Sequence, residues 1–260
     1  MSRPDRVRAF KDERAEVLEF CRSLPPADWR MDSCARGWSI QDVVAHMGSG
    51  AHAMFGPAAV KLMRGNAIER LNDEMVDIRR SWSPEQVLGE YRRWTGAFAT
   101  LLGPVTGTPM GGLRLPLAEL GRFPLRLFVS ALVFDAYTHL HHDMAPALGR
   151  TLPGPDSNRM AVTLEWMMAV LSNQLRADRP SWLDRPVLIT LGGAGGGRWL
   201  VGTGGSVLPA TVESGAARIR GAAVEFPEWG TKRAGWRDRD VSLDGDTDYG
   251  AKFLDWMNIV

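Results

Sequence analysis

A change of periodicity near residue 183 constrains this chain more than any other feature. Upstream, apolar residues recur at helical spacing, whereas past Pro186 they alternate in short runs separated by glycine. From Asp5 to Leu24, Val7, Phe10, Val17, Leu18, Cys21 and Leu24 mark a helix that Pro25 and Pro26 end, because proline lacks an N–H donor. Ser39 is placed to cap a second helix through Val43, Val44, His46 and Met47 towards Leu62, although Gly48, Gly50, Gly56 and Pro57 weaken its far half. Ser83-Pro84-Glu85-Gln86 combines an N-cap, a first-turn proline and a capping-box glutamine, and opens a third helix to about Leu102. Gly103 to Pro116 reads as a loop, Leu125 to Met144 as a buried helix, and Met160 to Leu175 as one more helix.

Beyond the break, Val187–Leu191, Arg198–Val201 and Ala210–Glu213 read as strands, the first two joined by a flexible hairpin loop over Gly192–Gly197. That glycine run lacks the Gly-Lys-Ser/Thr ending of a phosphate loop and joins strand to strand. Asp248 to Met257 closes the chain as a short amphipathic helix. The expected fold class is α+β, a helical bundle over residues 1–182 followed by a small α+β domain over 183–260.

Composition narrows the functional classes. A formal charge of +1 provides no field to draw the protein to nucleic acid or an anionic membrane. The charged N-terminus has no apolar run after it, and no stretch reaches the ~18 uncharged residues of a spanning helix, so the expected location is cytoplasmic. Cys21 and Cys34 match neither a redox pair nor a zinc finger, and in a reducing compartment they are expected as free thiols.

The helix from Leu125 to Met144 contains Asp135 and His139, four apart and therefore on one face. A carboxylate and an imidazole at that spacing in an apolar helix form half of the kind of metal site that bundle cores hold. His46, on the Val43 face of its own helix, offers a third ligand, since an unpaired ring there is costly to bury. The alternative reading makes His46 and His139 core histidines bonded to backbone or to Asp135. His141 and His142 share the helix of His139 but not its face, and are expected to be solvated or to support the ligands. Tyr137 and Asp143 could support them too, with a solvent-facing position the simpler expectation, and His52 is open in the same way. Trp38 is expected to pack in the core.

Trp38-Ser39-Ile40-Gln41-Asp42-Val43-Val44-Ala45-His46-Met47 resembles the signature of the DinB-like and mycothiol-dependent maleylpyruvate isomerase superfamily. The resemblance extends to the tail, Trp236 through Val260, which is similar to the end of the isomerases' C-terminal domain, a relative of sterol-carrier folds. It implies a metal-binding four-helix bundle with His46, Asp135 and His139 as ligands. The isomerases usually have glutamate where this chain has Asp135, and the arm shorter by one methylene moves the ion or brings in a water. The resemblance also implies a site-facing arginine, for which Arg233 is the best match, with an exposed surface arginine as the alternative.

Three mixed ligands leave coordination positions open, the arrangement of catalytic metal. Zinc is the first candidate ion, with nickel, iron or manganese behind it. The expected activity is that of a metal-dependent transferase or isomerase in which mycothiol or a related thiol, deprotonated at the ion, attacks a small electrophilic substrate, with Arg233 holding a substrate carboxylate. The alternatives are a metal-assisted hydrolase or other transferase, and a non-catalytic binder of a small apolar ligand. A homodimer is compatible with such a bundle, although no apolar stripe assigns one.

Overall fold

The computed structural model describes residues 5–65, 67–211 and 213–259. Val212, within one of the expected strands, and Val260, at the end of the tail, lie outside the described residues. The helices are α1 (Arg6–Arg22), α2 (Ile40–Ala53), α3 (Ala58–Arg64), α4 (Ile68–Asp77), α5 (Pro84–Ala97), α6 (Gly103–Thr106), α7 (Arg126–Thr138), α8 (Ala145–Ala147), α9 (Ser157–Ala177), α10 (Phe226–Gly230) and α11 (Thr247–Trp256). The described strands form two sheets. A hairpin pairs β1 (Arg114–Leu117) with β2 (Gly121–Pro124). The second sheet runs β5-β4-β3-β6-β7, from β3 (Val187–Gly192), β4 (Gly197–Val201), β5 (Val207–Pro209), β6 (Ala217–Ala222) and β7 (Ser242–Gly245). Only β3 with β6 is parallel in it.

Two compact units result, one over Asp5–Pro153 and one from Gly154 onward. The boundary therefore falls about thirty residues before the expected position near 183, because α9 belongs with the sheet. Apolar residues on most sides of α9 show that it is buried but not by what. Its partner includes the β3–β4 hairpin. A Cβ on Gly195, whose φ is +73°, would meet Ser157 O at 2.5 Å and Ala161 N at 2.7 Å, so the glycine run lets the hairpin close onto the first turn of α9. The run is thus a packing device and not a loose loop. The third expected strand is displaced, since the chain leaves β5 at Pro209.

In the first unit α1, α2, α5 and α7 pack as a four-helix bundle. α2 is central, and every residue from Ile40 to Ser49 is buried. It begins as the sequence requires. Ser39 Oγ accepts from Asp42 N at 3.2 Å, Asp42 Oδ2 accepts from Ser39 N at 2.9 Å, and Arg80 Nη1 donates to the same carboxylate at 2.9 Å. Removing the hydroxyl in Ser39→Ala is expected to cost about 1 kcal/mol, read as a lower urea midpoint with unchanged slope. Two residues past His46, a Cβ on Gly48 would lie 3.1 Å from Tyr91 N, so glycine allows α2 and α5 to approach closely there. α2 stops at Ala53, short of Leu62, and the weak stretch rich in glycine and proline becomes a turn leading into α3.

α5 and α7 both end in a widened turn of π-helical hydrogen bonding, at Phe98–Leu102 and His139–Met144. Such turns gather at functional sites. No helix among the described residues is long and apolar enough to cross a membrane.

Candidate metal centre

Three elements converge on one carboxylate. α2 presents His46, α7 presents Asp135, and the widened turn that continues α7 presents His139. His46 Nε2 lies 3.1 Å and His139 Nε2 3.4 Å from the same oxygen, Asp135 Oδ1. The donor atoms of all three residues lie within 4.8 Å of one another. Both imidazoles are buried, while the Asp135 side chain keeps 29% of its exposure and leaves an approach from solvent.

The donor set fits a divalent ion. Bond lengths of about 2.0–2.2 Å place neighbouring tetrahedral ligands about 3.3–3.6 Å apart, close to the separations found here. Asp143 Oδ2 lies 2.7 Å from His139 Nδ1, and because a carboxylate only accepts, Nδ1 carries the proton and Nε2 is turned towards Asp135. A carboxylate behind a histidine is the arrangement that fixes the tautomer of a metal ligand and raises its basicity. Without a cation between them the three groups must share protons. Burial pushes the Asp135 carboxyl up, but the two imidazoles outweigh it and hold the group far below the usual carboxylate range. Burial likewise opposes a charged His139, yet Asp135 and Asp143 outweigh it and push its pKa up to about 9. A positive charge is therefore favoured at the position an ion would take. His46 Nδ1 is buried without a hydrogen-bond partner, a cost that leaves Nε2 as the working atom of that ring.

Two further residues complete the surroundings, and both were underestimated by the sequence pattern. Trp38 lies over the ligands, its ring centroid 4.9 Å from that of His46 and 6.1 Å from that of His139. Its Nε1 donates to Asp73 Oδ1 at 3.0 Å, so α4 holds it in place. Asp143 is 1% exposed, not solvent-facing. Its spacing of four from His139 is the same signal that paired Asp135 with His139, and would have found it. Asp143→Asn is expected to weaken divalent-ion binding about 10–100-fold in a chelator-competition titration, with the fold intact by circular dichroism.

His52 is on α2 but turns to α5, with Nδ1 2.8 Å from Glu90 Oε1 and its ring stacked on Trp94 at 4.1 Å. Arg233 is in the second unit, exposed, just past α10, where its Nη1 donates to Thr231 Oγ1 at 3.1 Å. Cys21 and Cys34 are free thiols, and burial pushes Cys21 up to about 12, which makes it a poor nucleophile.

Residues 10–108 match the family described as the mycothiol maleylpyruvate isomerase N-terminal domain. Over these residues the chain is similar to that domain. The match spans α1 through α6 and so includes His46, while Asp135 and His139 follow it on α7. Two crystal structures of the mycothiol-dependent maleylpyruvate isomerase, one of them a histidine-to-alanine mutant, share the fold. Their TM-scores are 0.57 and 0.56 for the mutant, each at 11% identity, over 92% of this chain and 91% of theirs. The comparison with curated proteins returns no match. A helical unit followed by a sheet-containing unit is thus the α+β organisation expected from the change in periodicity.

Proposed function

We propose that this chain is a metal-dependent enzyme that uses a low-molecular-weight thiol of the mycothiol type to isomerise or transfer to a small electrophilic substrate. The observation that carries the reading is the convergence of His46, Asp135 and His139 on one point, with Asp143 behind His139. A divalent ion held there, zinc first by the chemistry of two imidazoles and one carboxylate, would lower the pKa of a bound thiol so that its thiolate exists at neutral pH. His46, Asp135 and His139 hold the ion, and three protein ligands leave room for an exogenous one. Asp143 orients His139 and keeps its proton on Nδ1. The exposed edge of Asp135 marks the side from which thiol and substrate enter, and Trp38 covers the ligand rings with an apolar face that limits water. Arg233 is assigned to a substrate carboxylate on the family resemblance alone.

Maleylpyruvate, the substrate named for the structural relatives, is the first compound to test. Purified protein loaded with zinc is expected to isomerise it only when mycothiol is supplied. Turnover of this or another electrophile at an unchanged rate without thiol would point instead to a hydrolase. No bound metal in either the wild type or His46→Ala would reduce the bundle to a scaffold.

A further inference from the structure

The helix that supplies Asp135 and His139 to the bundle centre also faces α1 with its other side. His141, two residues past His139 and so about half a turn on, projects to nearly the opposite side. It was expected in solvent or behind the ligands, but its side chain is 8% exposed and packs between α1 and Tyr137, whose ring stacks on it at 4.6 Å. There it meets two carboxylates from consecutive turns of α1. Glu13 is fully buried, and Glu16, 22% exposed, places Oε1 3.5 Å from His141 Nε2. One donor atom from each of the three residues lies within 4.8 Å of the other two.

We infer that Glu13, Glu16 and His141 form a second divalent-cation site, distinct from the first and joining α1 to α7. Two independent observations support it. His141 Nε2 is buried, faces the carboxylates and has no hydrogen-bond partner, so the imidazole is aimed at its neighbours without bonding to them. Its 3.5 Å separation from Glu16 is too long for a good hydrogen bond and equals the edge of a tetrahedral site with bonds of about 2.0–2.2 Å. Two carboxylates and a neutral imidazole around a dication carry no net charge, which suits a buried position. Compared with the first set, one imidazole is replaced by a carboxylate, a harder set that accepts Mn²⁺ as well as Zn²⁺. Glu16 is the only partly open member, and the role is structural.

The test counts ions. Full-length protein is stripped with a chelator, saturated separately with Zn²⁺ and Mn²⁺, freed of excess ion, and analysed for metal per chain. The expected content is two ions per chain in the wild type under at least one of the metals, one in His46→Ala, one in His141→Ala and none in the double variant. Glu16→Gln, which keeps volume and is partly exposed, is expected to weaken only the second ion, by about tenfold or more. It gives the answer if His141→Ala fails to fold. One ion in the wild type under both metals, or two tight ions retained in His141→Ala and Glu16→Gln, would overturn the second site. Loss in His46→Ala alone would sink this inference and leave the proposed function standing, whereas loss in His141→Ala alone would do the reverse.

Discussion

His46→Ala is expected to lose one tightly bound divalent ion per chain and, with it, thiol-dependent turnover, while the bundle stays folded. His46 is the ligand that α2 would offer the proposed centre, and without it Asp135 and His139 would make a two-ligand site on a single helical face. Loss of an outer partner costs about 10–100-fold in metal affinity, so loss of a direct ligand should cost more than about 100-fold. The fold should survive, because the residue removed already carries an unsatisfied Nδ1 and the cap at Ser39 and the Gly48 contact with α5 are untouched. Elemental analysis, circular dichroism and a thiol-dependent assay on one preparation separate the outcomes. A folded variant that binds as many ions as the wild type and keeps its turnover would exclude the proposed centre.

Glu90→Ala is expected to have the largest effect on stability, destabilising the protein by about 3–5 kcal/mol. Glu90 is buried on α5 and pairs with Arg79 through two hydrogen bonds, one from Nη2 at 2.7 Å and one from Nε, while Oε1 also meets His52 on α2. Arg79 is itself buried, donates to Met75 O at 2.6 Å, and lies over the Trp82 ring. Removing the carboxylate leaves a guanidinium inside the protein without its counter-charge, and that desolvation sets the magnitude. The pair itself is not strongly stabilising. Replacing both partners with apolar residues of similar volume, Arg79→Met with Glu90→Leu, should recover most of the loss. Urea denaturation of the two single variants and the double variant measures the coupling. A loss below about 1 kcal/mol in Glu90→Ala would mean that water reaches Arg79.

What was legible in the sequence was whatever depends on local spacing. The cap at Ser39 and the capping box at Ser83 form as their residues require, and the hairpin over Gly192–Gly197 joins β3 to β4. Asp135 and His139 meet because they are four apart, and His46 reaches them because its helix is buried on nearly every side. What was missed depends on partners distant in the chain. α4 has Ile68, Leu71 and Met75 at helical spacing but no side-chain N-cap bond to mark its start, and the part it plays is set elsewhere in the chain, where its Asp73 holds Trp38 over the site. β6 reads as an unremarkable Ala-Arg-Ile-Arg run until its parallel pairing with β3 makes it central to the sheet. The environment of His141 is likewise set by α1, more than a hundred residues earlier.

The widened turn at His139–Met144 makes this stretch sensitive to length as well as to composition. With i→i+5 bonding it holds about one residue more than an α-turn would. Deleting a residue between 140 and 142 would let the turn rewind to α-helical spacing, which absorbs the change for the chain beyond it but puts Met144 in place of Asp143 four positions after His139. An insertion or deletion in these six positions would therefore break the register between the two carboxylates that flank His139.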